Sequence, residues 1–450
     1  MQTPRAKEHW LFGSGREMSR SSLGFLTELG RASGGFVRFR ILNRRFVAVA
    51  DPECAHRILV SGVEHYDRSY HAKNLGIIIG DGLLSSDGEK WKKNRRQLQP
   101  QFRPDGMERL VPAVTRAVER LLKEWEAARV EGKTVPALTN MRRLTISAMA
   151  RIVFSIDIAA EDAANVDGAI RNAAVKLRRR NTSLVQWPVW MPTPNNRSLA
   201  ASREVLDEFV ERQIAIRTKG PRPELPDMFD ALLDARDPDT GEGLTYQDLV
   251  DQCKTLLVAG YETTGLALTW TLYLLARHPD AAAKMGEEAD RVLQGMPPKW
   301  QDLPKLSYTA QVIHESLRLY PPVYAIGREC IKDDEVMGHR VRKGWVLIIS
   351  TFGMQRSSVW GEDFEAFRPE RFAPGSAWPR KAFLPFGSGR HICLGNAFAM
   401  TEMMIAVTRI CQQYRLEPAD ERIVEPRGEI ALMPEREIEL RIARRETTAA

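Results

Sequence analysis

The sequence predicts a mainly α-helical protein with a smaller β-sheet lobe, and three observations support this fold class. Long stretches repeat apolar residues at helical spacing, most clearly at 108–160 and 245–278. Short alternating or β-branched stretches at 36–41 and 45–50 favour strands. No low-complexity linker or internal repeat divides the chain, so we expect a single domain over residues 1–450.

The predicted β-rich lobe comprises roughly residues 30–65, 323–355 and 428–443, and the helical lobe takes the remainder. In its first part, residues 36–41 alternate apolar and charged side chains, whereas residues 45–50 are apolar and rich in β-branched side chains. These two patterns are separated by a turn and predict a pair of neighbouring strands.

Composition and charge limit the function classes. The chain is 43% hydrophobic and 27% charged, which is ordinary for a globular protein, and its formal net charge is +7. The basic residues form no tail, so we expect no nucleic-acid partner but a localised basic face for an acidic one. Five widely spaced cysteines without a CxxC pair argue against a disulfide framework or a structural zinc site and predict a reducing, cytoplasmic location. The first ten residues lack an apolar core, and no run of eighteen apolar residues occurs, so we expect neither a signal peptide nor a transmembrane anchor.

The stretch from Tyr66 to Gly88 is rich in glycine and is predicted to be irregular. It carries apolar side chains at Leu75, Ile78 and Leu84. A long loop with this much apolar surface indicates a pocket wall, and a packed surface loop is the alternative.

A basic helix follows this stretch. Trp91 and Arg95 lie four residues apart and therefore share a face of that helix. A cation beside an aromatic ring suits a carboxylate or a phosphate, and the alternative is a solvated basic helix.

The longest helical pattern, at 245–278, would span roughly 45 Å and cross a whole domain. Its middle is small and polar, with Ala259, Gly260, Glu262 and Thr263. Glycine weakens a helix by nearly 1 kcal/mol, and a threonine can bond the carbonyl one turn back. This segment therefore indicates a groove for a small ligand, with Thr263 and Glu262 as a proton-delivery pair. Close helix–helix packing at small residues is the alternative.

Glu315 and Arg318 lie three residues apart among apolar neighbours, close enough for an ion pair. A buried pair needs a further partner, and Arg371 is the candidate. The alternative is a surface pair that contributes little.

Cys393 lies in the glycine-rich stretch FGSGRHICLG, directly before a helical pattern. The N-terminus of a helix stabilises a thiolate, and glycine lets another group approach the backbone closely. Such a thiolate suits the axial ligand of a haem iron. A buried free cysteine beside a tight turn is the alternative.

Four signatures then occur in one order: AGYETT at 259–264, ExxR at 315–318, FRPERF at 367–372 and FGSGRHICLG at 386–395. Together they resemble the cytochrome P450 family, the haem-thiolate monooxygenases, over essentially the whole chain. The resemblance implies that family's fold, in which a long central helix lies over the haem and a cysteine loop supplies its ligand. It also implies insertion of one oxygen atom from dioxygen into a hydrophobic, lipid-like substrate such as a terpenoid, a steroid or a fatty acid.

The resemblance assigns roles to residues of the cysteine loop and its surroundings. Cys393 would be the axial thiolate of haem b, Phe386 would pack beside the haem, and Gly387, Gly389 and Gly395 would shape the loop. The groups expected to contact the haem propionates are Trp91, Arg95 and His391, with Arg328 as a further candidate. Many relatives carry arginine in place of His391, so its contact is expected to depend on pH.

The other assignments follow the remaining motifs. Thr263 with Glu262 would relay protons to dioxygen, and Ala259 and Gly260 would line the oxygen groove. A buried structural triad would consist of Glu315, Arg318 and Arg371. The side chains expected in the substrate pocket are Tyr70, Leu75, Ile78, Leu84, Tyr261, Val323, Ile326 and Leu432.

The resemblance also implies the partners. We expect a soluble, bacterial-type monomer that receives electrons from a separate ferredoxin or flavodoxin with its reductase. The residues expected to dock this acidic partner on the cysteine side are Lys92, Lys93, Arg96 and Arg390. Two alternatives keep the haem: a peroxide-driven peroxygenase or isomerase, which would not need the pair of Glu262 and Thr263, and a gas-binding protein without turnover.

Overall fold

The computed structural model describes residues 4–6, 9–31, 33–102, 107–183, 185–223 and 227–445. The other residues of the predicted 1–450 domain lie outside this description. Helices dominate and the strands form smaller sheets, which confirms the predicted fold class. The predicted extents of the two lobes stay predictions. Within the described ranges, no helix has both the length and the apolar character needed to cross a membrane.

The α-helices of these residues are α1 (Gly15–Arg20), α2 (Ser22–Arg31), α3 (Pro52–His56), α4 (Tyr70–Ile79), α5 (Gly88–Leu98), α6 (Val111–Val130), α7 (Ala137–Phe154), α8 (Ala160–Thr182), α9 (Pro194–Lys219), α10 (Met228–Asp234), α11 (Tyr246–Arg277), α12 (Pro279–Leu293), α13 (Ser307–Leu319), α14 (Thr351–Gln355) and α15 (Asn396–Gln413). The strands are β1 (Phe36–Ile41), β2 (Arg44–Val49), β3 (Tyr66–Arg68), β4 (Val135–Pro136), β5 (Ile326–Cys330), β6 (Asp334–Val336), β7 (His339–Val341), β8 (Val346–Ile349), β9 (Tyr414–Pro418), β10 (Pro426–Gly428), β11 (Leu432–Pro434) and β12 (Glu439–Arg444).

The largest sheet brings distant parts of the chain together in the strand order β1-β2-β8-β5-β3. β1 and β2 form the predicted neighbouring strands, and Phe39 lies opposite Phe46 across them. β2 pairs in parallel with β8, and β5 pairs antiparallel with both β8 and β3. The last pairing places Arg68 directly opposite Arg328. Two cations that are 260 positions apart in the sequence therefore become neighbours.

Helix α11 runs through the middle of the helical part. Its N-cap is Thr245, whose side chain accepts a hydrogen bond from the backbone N–H of Asp248, and the helix ends just before Pro279. Both ends agree with the sequence prediction. The helix is buried over most of its length and packs against α7, α9, α13 and α15. It is therefore the element against which the functional side chains are positioned.

One prediction about local structure is wrong. The stretch from Tyr66 to Gly88 is not irregular throughout, because it contains β3 and the ten-residue helix α4. α4 packs on α8 and α9, and this tertiary contact overrides the weak helical propensity of its glycine and β-branched residues. The helical pattern at 108–160 comprises two helices, α6 and α7, because Gly132 adopts a left-handed conformation at φ +67° and Pro136 follows it.

Candidate active site

A stripe of α11 stays partly accessible in the middle of this otherwise buried helix. It consists of Leu256, Ala259, Gly260 and Thr263, whose spacing places them on one helical face. The Thr263 hydroxyl donates to the Ala259 carbonyl at 2.8 Å, one turn back. The stripe is therefore apolar except for a single hydroxyl group.

Gly260 also lets α11 approach α7 closely. A Cβ atom at position 260 would lie 2.6 Å from the sulfur of Met149, which is too near for any larger residue without movement. Close helix packing, the alternative from the sequence, therefore accounts for this glycine. It does not account for Ala259 and Thr263, which remain partly accessible on the same face.

Glu262 leaves α11 on a different side from Thr263 and faces α7. Its carboxylate lies 3.2 Å from the Arg142 guanidinium, and both side chains are buried. Burial raises the pKa of Glu262; Arg142 acts in the opposite direction, and the nearby Asp167 charge adds to the rise. The structure thus separates the two members of the predicted proton-delivery pair onto adjacent faces of one helix.

The loop from Phe386 to Gly395 depends on glycine. Gly389 has φ +71°, and a Cβ atom there would lie 1.8 Å from the Leu59 carbonyl oxygen. Gly387 is likewise left-handed at φ +70°. The backbone N–H of Cys393 donates to the Phe386 carbonyl at 2.9 Å and closes the loop. This geometry presents Cys393 just before the start of α15.

The Cys393 thiol is accessible on one side and enclosed by protein on the others. This enclosure raises the pKa of the thiol, while the backbone N–H of Gly395 and the positive charge of Arg95 act in the opposite direction. Arg95 itself donates to the Ile392 carbonyl at 2.8 Å and is thereby fixed beside the loop. The Gly395 N–H group and Arg95 therefore favour the thiolate form of Cys393 and oppose the effect of burial.

A cluster of cations surrounds the same loop. His391 packs against Trp91 with ring centroids 4.4 Å apart, and Arg68 and Arg328 approach it from the sheet. Burial lowers the pKa of both arginines to about 10, and it lowers the pKa of His391 to about 4. In the described part of the chain, the Nε atoms of both arginines and both ring nitrogens of His391 have no hydrogen-bond partner. These are buried polar atoms without partners: the two arginines offer N–H donors, and the neutral His391 ring offers one donor and one acceptor.

Asp87 is the carboxylate nearest to this cluster. It lies 3.6 Å from the His391 ring, which is longer than a hydrogen bond, and it accepts the backbone N–H of Arg68 at 2.8 Å. Burial works to raise the pKa of Asp87, but His391 and the backbone N–H groups of Arg68 and Gly88 outweigh it and hold the pKa below its usual range. One carboxylate therefore faces several cations, and positive charge remains in excess.

The predicted triad is present as a buried network. Arg318 donates to both carboxylate oxygens of Glu315 at 2.7 Å, and Arg371 donates to Glu315 at 3.3 Å. The remaining guanidinium groups bond to backbone carbonyls, among them those of Gln355 and Trp360. All three side chains are almost fully buried.

The predicted pocket residues differ in how accessible their side chains are. Leu75, Leu84, Val323 and Ile326 are partly or fully accessible, and Ile326 lies over the loop, 3.8 Å from the position of a Cβ on Gly387. Ile78 is buried. Tyr70 packs against His71 with ring centroids 3.9 Å apart and has the Arg44 guanidinium over its ring.

Two pocket predictions are corrected by the packing. Tyr261 is fully buried and donates its hydroxyl to Asp167 of α8, so it points away from the accessible stripe. Leu432 is also fully buried, in a small cluster with Leu23 and Phe352, and its carbonyl accepts the indole N–H of Trp270. Both residues support the site from behind.

Sequence reasoning missed Arg68, Asp87 and Arg142. Arg68 lies in a stretch whose strand was not predicted, and only its pairing with Arg328 brings it to the loop. Asp87 lies in the same stretch, which was predicted to be irregular. Arg142 is 120 positions from Glu262, and no local pattern in the sequence links them.

Comparison with known proteins agrees with this geometry. The family model described as "Cytochrome P450" matches residues 3–442. The chain belongs to the cytochrome P450 family. It is a monooxygenase of that family, which uses dioxygen, a redox partner and a hydrophobic substrate, and whose cofactor is a haem bound through a cysteine thiolate.

This P450 is similar to several bacterial relatives with known activities. It is 30% identical to cyclooctatin synthase of Streptomyces melanosporofaciens, over 95% of each chain. It is 32% identical to cyclooctat-9-en-7-ol 5-monooxygenase of the same species, over 91% of this chain and 88% of the relative. It is 30% identical to pentalenene oxygenase of Streptomyces avermitilis, over 96% and 95%.

Among solved structures, the P450 resembles the crystal structure of the cytochrome P450 CYP102L1. The TM-score is 0.88 with 26% sequence identity, and the similarity covers 99% of both chains. The whole described fold, and not only the motif segments, is therefore that of the family.

The residues around the cysteine loop fit a haem. A haem presents two propionate carboxylates at its edge and an iron that accepts an axial ligand. The unused donors of Arg68, Arg328 and His391 match the carboxylates, and the accessible thiol of Cys393 matches the iron.

Proposed function

We propose that this P450 hydroxylates or otherwise oxygenates a terpenoid or a similar lipid-like molecule, with haem b bound through Cys393. The observation that supports the substrate class is the accessible stripe of α11, where Leu256, Ala259 and Gly260 offer apolar surface beside the single hydroxyl of Thr263. Such a surface suits a hydrocarbon skeleton that needs no hydrogen-bond partner. The bacterial relatives with terpenoid-oxidising activities favour the same class.

The protein side chains have separate tasks in this proposal. When bound, the haem activates dioxygen and accepts two electrons for each oxygen atom inserted. The Cys393 thiolate donates electron density to it, which favours cleavage of the O–O bond. The side chains that would hold the propionates are Arg68, Trp91, Arg95, Arg328 and His391.

Proton delivery falls to two residues of α11. In this proposal the Thr263 hydroxyl, which donates to the Ala259 carbonyl, passes a proton to the reacting oxygen. Glu262 resupplies it, and because Glu262 is buried beside Arg142, it must first break or neutralise that ion pair. This requirement makes the environment of Glu262 part of the mechanism.

The electron donor is proposed to be a separate ferredoxin or flavodoxin that docks on the cysteine side. The predicted docking residues are all engaged in ion pairs within the chain: Lys92 with Glu89, Lys93 with Glu242, Arg96 with Asp237 and Asp239, and Arg390 with Asp67. The pairs of Lys92 and Lys93 are solvent-accessible and contribute about 1 kcal/mol or less, whereas the Asp237 side chain is almost fully buried. An acidic partner can therefore replace the pairs of Lys92 and Lys93 at low cost, but the face is less positive than the sequence suggested.

The test is product formation from a panel of terpene hydrocarbons with a surrogate ferredoxin, its reductase and isotope-labelled dioxygen. We expect one labelled oxygen atom per product molecule. Thr263→Ala should consume electrons and release peroxide with little product. Thr264→Ala is the matched control, because Thr264 is buried on another face, and it should retain coupling.

Two results would contradict the proposal. Product formed with peroxide alone, and not with the donor system, would identify a peroxygenase. Normal coupling in Thr263→Ala would remove Thr263 from proton delivery.

A further inference from the structure

A carboxylate on α8 contacts α11 at Tyr261, the residue before Glu262. Asp167 accepts a hydrogen bond from the Tyr261 hydroxyl and forms an ion pair with Arg171 at 2.7 Å. Tyr261 is fully buried, whereas Asp167 is partly exposed and Arg171 is largely exposed. Asp167 is therefore anchored from the protein interior by a hydroxyl group and from the solvent side by a cation.

Glu262 follows Tyr261 in the sequence and belongs to the same group of charges. The charged groups that act on it come from two helices: Arg142 from α7, which packs against α11, and Asp167 and Arg171 from α8, which contacts α11 through Tyr261. From β11, the Met433 sulfur contacts Arg142 at 3.4 Å and carries no charge. Glu262 thus experiences two cations and one carboxylate in a buried setting.

Burial favours the protonated form of Glu262, whereas Arg142 acts against burial and favours the ionised form. A positive charge in contact with a buried carboxylate favours ionisation, and an ionised Glu262 bound to Arg142 has no proton to pass on. A second carboxylate nearby has the opposite effect, because two like charges resist being ionised together. Asp167 is in position to supply that effect, and Arg171 partly cancels it.

We propose that Asp167 is a positioning residue for proton delivery: held by Tyr261 and Arg171, its negative charge offsets the pull of Arg142 and lets Glu262 take up a proton. This inference rests on the proposed role of Glu262 and Thr263. The protonated Glu262 no longer needs Arg142 and becomes able to donate towards Thr263. The proton enters Glu262 from solvent and leaves on the oxygen that is reduced, so the cycle returns Glu262 to its ionised form.

The arrangement also accounts for Tyr261, which the substrate pocket does not use. Its hydroxyl fixes the Asp167 carboxylate against α11, so that the charge acts at a constant position. Without a donor from α11, a partly exposed aspartate would have alternative rotamers in solvent, and its influence on Glu262 would be screened.

The direct test is an infrared titration of the Glu262 carboxyl in the purified protein, which requires neither substrate nor donor. The band of the protonated acid is assigned by its loss in Glu262→Gln. Glu402→Gln is needed as well, because burial raises the pKa of Glu402 to about 8 and its carboxyl will contribute a band of its own. The titration midpoint of Glu262 is then compared among variants.

We expect opposite shifts from the two α8 residues. Asp167→Asn should lower the midpoint by about one pH unit, since a like charge has been removed. Arg171→Gln should raise it, since a cation has been removed; this side chain is more than half exposed and the variant should fold normally. Asp162→Asn is the control: Asp162 also lies on α8 and pairs with an arginine, Arg212 at 2.6 Å, and it should leave the midpoint unchanged.

A second readout uses turnover. The pH at which half of the consumed electrons appear in product should move with the infrared midpoint in each variant. The inference is overturned if Asp167→Asn and Arg171→Gln shift the midpoint in the same direction or leave it unchanged, or if Asp162→Asn shifts it equally. The infrared result stands apart from the proposed function, because it is obtained without catalysis, and a failure of product formation would leave it intact.

Discussion

The P450 contains two clusters of buried arginines that differ in how completely their donors are used. In the first, Glu315 accepts from both Arg318 and Arg371, and backbone carbonyls and the Asp363 carboxylate take the remaining N–H groups. In the second, Arg68 and Arg328 lie side by side near the cysteine loop with their Nε atoms unpaired among the described residues. The two clusters share a residue type, but they differ in how completely their donors are used.

This difference separates architecture from binding. A saturated network has no capacity for a ligand and holds distant segments together, here α13 and the segment around Trp360. In an unsaturated network each buried unpaired donor is unfavourable, and a ligand that accepts a hydrogen bond from it removes this desolvation cost. Removing a member should therefore destabilise the first cluster and weaken ligand binding at the second.

The largest effect is expected from Glu315→Gln. The change leaves buried Arg318 without a carboxylate and Arg371 with only Asp363 at 2.8 Å, and breaking a buried ion pair costs about 3–5 kcal/mol. The denaturant midpoint of the haem-free protein should fall accordingly. Glu370→Gln, which removes an exposed pair with Lys284 at 2.9 Å, is the control and should cost less than about 1 kcal/mol. Equal midpoints for the two variants would refute the assignment of the triad to architecture.

Glu402 on α15 extends the comparison to a buried carboxylate without a partner among the described residues. Both of its carboxylate oxygens are buried without a partner in the ranges described, and burial raises its pKa to about 8. Because the folded state binds this proton more tightly than the unfolded state, the contribution of Glu402 to the free energy of unfolding is fully present below about pH 4.5. It is lost as the pH rises through 8. Glu402→Gln should remove this loss and make the protein more stable at pH 8 by about 2–5 kcal/mol.

The measurement for Glu402→Gln is the unfolding free energy of variant and wild type from pH 5 to pH 8. The two curves should nearly coincide at pH 5 and diverge at pH 8. Parallel curves would show that Glu402 keeps the same protonation state throughout.

Arg328→Met tests the unsaturated cluster. The buried Arg328 guanidinium leaves its Nε unpaired and, among the described residues, donates only to its neighbour's carbonyl at Gly327. Replacing it with an apolar side chain should leave the stability of the haem-free protein unchanged or higher. Haem affinity should fall about tenfold to a hundredfold, as expected for a lost hydrogen bond to a charged group. Both are measured on one preparation, by denaturation and by haem transfer to a competing haem-binding protein.

Arg371→Met provides the contrasting signature for Arg328→Met. It should lower the stability of the haem-free protein, since Glu315 loses a partner. If both variants lost stability to the same extent, the distinction between the two clusters would be wrong.

The smallest effect is expected at the surface. Lys92→Glu reverses a half-exposed charge whose partner within the chain is Glu89 at 2.7 Å. The rate of reduction by an acidic donor should fall a few-fold at low ionic strength and recover in high salt. Lys284→Glu is the control, and an equal loss in both variants would indicate a general charge effect and not a docking site.

Much of the fold and of the site could be predicted from the sequence, because its determinants are local. The long helix from Thr245, the glycine loop before Cys393 and the i, i+3 pair of Glu315 and Arg318 are each encoded within a few residues. The third triad member, Arg371, was also found, since its motif is compact.

The remainder depends on contacts between distant segments. The sequence does not show that β3 pairs with β5, so the neighbourhood of Arg68 and Arg328 was not foreseen. Nor does it show which side of α11 faces α7 or α8. As a result, Tyr261 was assigned to the pocket although it binds Asp167, and the partner of Glu262 was unknown.

The most direct test of the account is the absorption spectrum of the purified P450 after reduction with dithionite and exposure to carbon monoxide. If Cys393 is the ligand, the Soret band should be strongly red-shifted, and Cys393→Ser should lose this shift while Cys330→Ser, a change at a buried cysteine of β5, keeps it. A Soret band typical of histidine-ligated haem in the wild type, or a red-shifted band that persists in Cys393→Ser, would contradict the account.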